Sequence, residues 1–303
     1  MTHIPVLLNE VITLLQPQAN GRYLDGTVGA GGHTAGILEA SAPSGRVLGL
    51  DKDPEAIAYA QKRLAKYGER VILANASYAA MAQVAAARAF TNLDGILLDL
   101  GLSSRQLDDP ARGFSFLKEG PLDMRFDPTQ GETAADLINN LSEAELAGIF
   151  WRYGEEKRSW YYARIIVAER PFHTTTQLAG VIAAHTRQRG RRHPATKIFQ
   201  ALRIAVNREL EAVETGVTAA VGLLRPGGRL AVISFHSLED RIVKQTFRRL
   251  SQDTTPPPGF PATEDSRPAL VRRITRKAVH ASAAEIEQNP RSRSARLRVV
   301  EKI

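Results

Sequence analysis

Short apolar runs closed by an acid punctuate the first hundred residues: Tyr23-Leu24-Asp25, Val47-Leu48-Gly49-Leu50-Asp51 and Ile96-Leu97-Leu98-Asp99. Runs this brief and this unbroken predict strands buried on both faces. The pattern places strands at Arg22–Asp25, Val47–Asp51, Val71–Ala74, Gly95–Asp99 and Arg229–Phe235, with helices over Pro54–Tyr67 and Tyr78–Phe90. Such alternation implies a parallel α/β sheet with helices on both sides. After Asp99 it stops. From about residue 110 to 205 the period is helical, over Thr133–Asn140, Ser142–Phe150, Lys157–Glu169, Thr175–Thr186 and Pro194–Leu210. Strand periodicity returns after the turn signal Leu224-Arg225-Pro226-Gly227-Gly228. A Pro-rich loop, 254–261, then precedes β-like segments at Leu270–Val279 and Ala295–Ile303. The economical division is an α/β domain of 1–109 and 206–303, with a helical domain of 110–205 inserted into it.

Between the first strand and a helix from Thr34 to Ala40 lies Asp25-Gly26-Thr27-Val28-Gly29-Ala30-Gly31-Gly32-His33. Glycines let backbone approach a ligand closely and reach positive φ cheaply. The N–H groups of the following helix start favour a carboxylate or phosphate. Asp51, ending the second strand, stands where a nucleotide ribose is usually gripped. The loop therefore reads as a nucleoside-cofactor site, with a tight structural turn as the plain alternative. An acid before the first glycine would repel a dinucleotide's pyrophosphate. It suits the sulfonium and amino groups of S-adenosylmethionine, so the charge favours a methyl donor over a nicotinamide.

Composition narrows the class. With 43% hydrophobic and 24% charged residues among 303, the chain is ordinary for a globular protein. No apolar run approaches the roughly 18–20 residues of a membrane span, and no signal peptide is evident. The absence of cysteine excludes disulfides, thiolate metal sites and a Cys nucleophile. Cytoplasmic residence is the simplest expectation. A net charge of +8 favours a polyanionic partner, because neutralising phosphates releases counterions. Basic residues concentrate at Arg187, Arg189, Arg191, Arg192, His193 and Lys197, with Arg203 and Arg208 beyond and no acid between Arg187 and Arg208. That stretch reads as a phosphate-tracking surface rather than a solvated face, which would interleave acids. Arg291, Arg293, Arg296 and Arg298 either extend it or line one face of a strand.

In an open α/β sheet the ligand lies across the carboxyl ends of the strands, so Asp25, Asp51 and Asp99 should converge on one crevice. Ser103-Ser104-Arg105-Gln106 follows Asp99, and Phe114 and Phe116 lie in a loop where they could stack on an extruded base or anchor the loop to the core. His236, in Ser234-Phe235-His236-Ser237-Leu238-Glu239-Asp240, sits at the same sheet edge, as a substrate contact or a structural histidine. No second well-spaced ligand accompanies it, and no metal site is expected. A nicotinamide oxidoreductase and a non-catalytic RNA-binding assembly factor are the competing readings. Asp25 argues against the first. The combination of glycine loop, Asp51 and Asp99 argues against the second.

Taken in order, these segments resemble one family. They include Asp25-Gly26-Thr27 with Gly31-Gly32-His33, Leu97-Leu98-Asp99-Leu100-Gly101 with Ser103, Ser104 and Gln106, and Arg112-Gly113-Phe114-Ser115-Phe116. Gly120-Pro121-Leu122-Asp123-Met124-Arg125, Tyr153-Gly154-Glu155-Glu156-Lys157, Ala195-Thr196-Lys197 and the His236 segment continue the match. The family is the bacterial 16S ribosomal RNA (cytosine-N4)-methyltransferases, and the resemblance runs from about His3 to Lys302. It implies a class I, Rossmann-like S-adenosylmethionine-dependent sheet with an inserted helical domain, acting on a cytosine N4 amine in the decoding region of 16S ribosomal RNA. By position it implies that Gly31, Gly32 and His33 line the methionine part of the cofactor, Asp51 its ribose and Tyr78 its adenine, with Asp99 and Gln106 completing the site. Tyr78 stands where relatives often have Phe, and Arg105 where many have proline. Asp99 is the expected proton acceptor, with Ser103 or Ser104 assisting. Phe114, Phe116, Arg189, Arg191, Arg192, Lys197 and His236 are the expected RNA contacts. The small ribosomal subunit is the expected setting, with no membrane partner. Monomer and homodimer stay open.

Overall fold

A computed structural model describes residues 4–186, 193–255 and 266–303. Within it the chain divides into two compact units, Met1–Gly101 with Leu210–Ile303, and Leu102–Glu209. The expected boundaries at 109/110 and 205/206 fall inside the second of these.

The first unit is built on a seven-stranded sheet of β1 (Arg22–Asp25), β2 (Arg46–Asp51), β3 (Val71–Asn75), β4 (Leu93–Asp99), β5 (Leu224–Ser234), β6 (Val271–Arg273) and β7 (Arg296–Lys302). Their order is 3-2-1-4-5-7-6. β1 to β5 are parallel, and β7 runs antiparallel between β5 and β6. The unbroken apolar runs serve both faces of this sheet. Leu24, Leu48, Leu50, Ile96, Leu98, Leu230 and Val232 join one core, while Tyr23, Val47, Leu97, Ala231 and Ile233 join another. Alternate residues of one strand thus enter opposite layers, as the period of two requires. Each Leu, Ile or Val among them contributes roughly 1.5–3 kcal/mol on burial.

Three local expectations change. The turn before the fifth strand is absorbed into β5: Leu224 pairs with Leu93 and Arg229 with Gly95, so 225–228 bulge outward, helped by Gly227 at φ +78. The stretch from Tyr78 is a 3-10 turn, Tyr78–Ala80, followed by a helix of Met81–Ala86. Only Val271–Arg273 of the segment Leu270–Val279 forms a strand, with Val279 making an isolated bridge to Leu297.

The second unit contains helices Ser104–Asp108, Ala134–Asn140, Glu143–Gly154, Ser159–Ala168, Thr175–Ala184 and Thr196–Asn207. Thr133 with Asp136, Ser142 with Glu145 and Thr174 with Gln177 form reciprocal capping boxes that set three of these starts. The unit has its own core, including Phe114, Leu146, Phe150, Ile166, Leu178 and Phe199. Motif residues tie its connecting loop. Arg112 donates to the carbonyls of Arg125 (3.0 Å) and Phe126 (2.8 Å). Asn207 accepts from Phe126 N and donates to Met124 O, both at 2.7 Å.

Candidate active site

Strand order reverses between β1 and β4, and the site is built there, at their carboxyl ends. Asp25 is fully buried. Its Oδ2 accepts from Thr34 Oγ1 at 2.6 Å and its Oδ1 from Thr27 N at 3.1 Å. Burial pushes its carboxyl up to about 6, against the lowering effect of these bonds. Asp25 therefore staples the glycine loop to the following helix. Full burial, with Thr27 and Thr34 on its two oxygens, gives Asp25 this structural part.

Asp51 Oδ2 accepts from Gly29 N at 2.7 Å and Oδ1 from Asp53 N at 2.9 Å. Burial raises it to about 6 as well, and the neighbouring Asp53 and Asp25 add to the rise. Each oxygen keeps a lone pair for a further donor. Gly31, at φ +76, caps the helix Gly32–Ala40 without a side-chain bond, leaving the first-turn N–H groups of that helix without a side-chain cap. Gly32 is required by close packing: a Cβ there would lie 2.5 Å from Pro5 Cγ. Tyr78 lies against Gly26 and Gly216. A Cβ at Gly216 would come within 2.5 Å of its ring.

Asp99 differs from the other two acids. Its backbone N donates to Thr27 Oγ1 at 2.7 Å, but its buried Oδ1 has no hydrogen-bond partner among the described residues. Burial, then the charges of Asp25 and Glu239, hold its carboxyl well above the ordinary range. Its Oδ2 is 3.5 Å from His33 Nδ1. His33 Nε2 lies 2.9 Å from Val6 O, and a carbonyl can only accept, so Nε2 carries the hydrogen and Nδ1 presents a lone pair toward Asp99. Burial lowers His33 to about 4, which keeps the ring neutral. An unpartnered carboxyl oxygen buried beside a glycine loop is costly unless a ligand group meets it.

The remaining expected residues separate. In the second unit, Ser103 Oγ accepts from Gln106 N (3.2 Å) and Gln106 Oε1 accepts from Ser103 N (3.1 Å), so these residues cap Ser104–Asp108. Phe114 is buried, stacked on Phe126, and is a core residue rather than a base-stacking one. Phe116 packs on His193 and Phe199. Lys197 Nζ donates to Glu155 O at 2.9 Å and pairs with Glu156 at 3.5 Å, fastening the turn between two helices. Arg203 is held by both oxygens of Glu209, at 2.8 and 2.9 Å, an acid just past the base-only stretch. Arg189, Arg191 and Arg192 lie outside the described residues.

In the first unit, His236 is an N-cap. Its Nδ1 accepts from Glu239 N at 3.4 Å and its Nε2 lies 3.1 Å from Glu239 Oε1, which corrects its expected RNA contact. Arg298 pairs with both oxygens of Asp240, at 2.7 and 3.1 Å, and Arg296 lies 3.6 Å from it, so the strand-face reading holds for these two. Reasoning from sequence passed over Thr27 and Thr34, the hydroxyls that position Asp99 and Asp25. Thr27 stands two residues after a strand-ending acid inside the glycine loop, and Thr34 in the first turn of the helix that follows.

A sheet whose seventh strand turns back between the fifth and sixth, with a glycine loop at the switch point, defines a class I methyltransferase, for which S-adenosylmethionine is the methyl donor. Comparison with known proteins narrows the class. The chain matches the MraW methylase family across residues 1–303 and belongs to it. It is 55% identical over 306 residues to the ribosomal RNA small subunit methyltransferase H of Thermomicrobium roseum, covering all of this chain and 94% of that protein. The protein of the same name from Geotalea uraniireducens is 53% identical over 308 residues, covering 99% and 98%. That from Xylella fastidiosa is 50% identical over 312, covering 100% and 98%.

Proposed function

We propose that this enzyme methylates the exocyclic N4 amine of a cytosine in the decoding region of 16S ribosomal RNA. The observation that carries the reading is Asp99, an acceptor without a partner beside the donor loop of a chain that matches its ribosomal RNA methyltransferase relatives end to end. Asp51 suits the ribose hydroxyls of the donor, Gly31, Gly32 and His33 its methionine end, and Tyr78 its adenine, with Asp99 completing the contacts of the first unit. The acidic set fits a cationic ligand. The bound donor supplies an electrophilic methyl group. The chain's own task is to orient the amine and receive its proton. Asp99 Oδ1 accepts a hydrogen of the amine, which favours pyramidal nitrogen, and takes up the proton released. Alignment of the two reactants supplies much of the remaining acceleration.

The small ribosomal subunit is the proposed substrate form and the cytoplasm the proposed compartment. Phe116 and the stretch of Arg189, Arg191 and Arg192 are the proposed RNA contacts of the second unit, and a homodimer is a further proposal. No helix among the described residues is long and apolar enough to cross a membrane. The test is transfer of labelled methyl from S-adenosylmethionine to small subunits lacking the modification, followed by nucleoside mass spectrometry. Label should appear as N4-methylcytidine, and Asp99→Ala should lower the rate by roughly a hundredfold or more. Label on another atom or base, or full activity in the variant, would overturn the assignment.

A further inference from the structure

The helix Ser237–Leu250 leaves the carboxyl end of β5, next to the strand that carries Asp99. Its buried side chains, among them Val243, Phe247 and Leu250, pack into the sheet core, and its outer face presents Arg241, Lys244, Arg248 and Arg249. At 100° per residue, Arg241, Lys244 and Arg248 fall within a stripe of about 60°, and exposed Arg249 lies about 80° round from Arg241. From Arg241 to Gln252 there is no acid. The acids of the first turn are engaged: Glu239 caps the helix and Asp240 is held by Arg298. A helix face that needed only hydration would interleave the two signs.

The neighbouring edge of the sheet continues the charge. Leu270 N donates to Leu250 O at 2.9 Å, which brings β6 alongside the end of the helix. Val271 enters the same core as Phe247, so Arg273, two residues on, lies on the same sheet face as the helix. Arg272, on the opposite face, is neutralised by Glu301 at 2.6 Å. Arg276 and Lys277, both exposed, follow directly. Lys244, Arg248, Arg249 and Arg273 make no ion pair among the described residues.

We infer that this stripe is a second RNA track: a phosphodiester backbone runs along the helix from the catalytic edge, over about 12 Å between residues 241 and 249, and on to Arg273. The inference rests on the RNA-substrate reading above and adds the surface, on the donor-binding unit itself, that carries the strand leading to the base. Guanidinium and ammonium groups spaced along one exposed helix face fit phosphate rather than base edges.

The test is the triple variant Lys244→Gln, Arg248→Gln and Arg249→Gln, with Lys244→Arg as a control that keeps charge. Binding to unmodified small subunits is measured between about 50 and 200 mM salt, where phosphate contacts dominate the salt dependence. Loss of three contacts should lower the slope of log affinity against log salt by about 2, at roughly 0.7 per phosphate of a single strand. Subunit affinity should fall tenfold or more at the lower salt, while calorimetric binding of S-adenosylmethionine is unchanged and Lys244→Arg behaves as the parent. An unchanged slope and affinity in the triple variant would overturn the track. So would loss of binding to anionic phospholipid vesicles with subunit binding retained, which would make the stripe a lipid surface. If the parent enzyme transfers no methyl to subunits, the RNA-substrate reading itself fails, a result separate from either.

Discussion

Asp25 and Asp99 end neighbouring strands, yet only one of them has a carboxyl oxygen to offer. Asp25 is satisfied by Thr27 and Thr34 and held near 6 by burial. Its folded value lies above the ordinary one, so its contribution to stability is complete below about pH 4 and is lost as pH rises through about 6. His33 has the opposite sign, losing stability as pH falls from 6.5 through about 4. Asp25→Asn should therefore lower stability at about pH 5 relative to about pH 7.5 in the ligand-free protein, by roughly 1–1.5 kcal/mol in chemical denaturation. Retention of the parent's pH dependence would show that Asp25 is ionised without penalty. Asp99 predicts a second linkage. Its raised carboxyl must ionise to meet a cationic donor, so affinity for S-adenosylmethionine should rise with pH above the ordinary carboxylate range and proton release should accompany binding. Asp99→Asn should flatten that rise in calorimetric titrations.

At the scale of elements, helices place the site as much as strands do. Gly216, on the helix Glu209–Leu223, leaves room for the Tyr78 ring that a Cβ would enter. Gly216→Ala should displace Tyr78 and weaken donor binding about tenfold, while far-ultraviolet circular dichroism stays unchanged. Normal donor affinity in that variant would remove Tyr78 from the site. In the second unit the capping boxes are local devices, already visible as Ser142-x-x-Glu145 and Thr174-x-x-Gln177 before apolar runs. Ser142→Ala should cost about 1 kcal/mol in chemical denaturation. The strands and these helix starts were legible because their signals are local: unbroken apolar runs, and polar side chains three residues apart. The β5 bulge was not, since it depends on β4 offering Leu93 and Gly95 as partners on either side of it.

Across the whole molecule, separate cores underlie the two units. Scanning calorimetry should accordingly resolve more than one transition. Phe150→Ala, in the helical core, should lower one of them by roughly 3–5 kcal/mol and leave the other in place. A single transition that moved as a whole would show the cores unfolding together. The motif residues Arg112 and Phe114, with Asn207, knit the helical unit internally.

What the amino-acid order determined by itself was local or additive: sheet strands with acids at their ends, helix starts, a glycine loop, an excess of positive charge. Each depends on neighbours a few residues away or on simple summation. What only the tertiary structure decided was which polar groups found partners. Asp25 met Thr34, Arg203 met Glu209, Arg298 met Asp240 and His236 met Glu239, while Asp99 Oδ1 met none among the described residues. A charge is the same letter whether it is paired or open. The difference lies in a few ångströms across the fold, and in the desolvation cost that makes an unpaired buried oxygen worth keeping only where a ligand completes it.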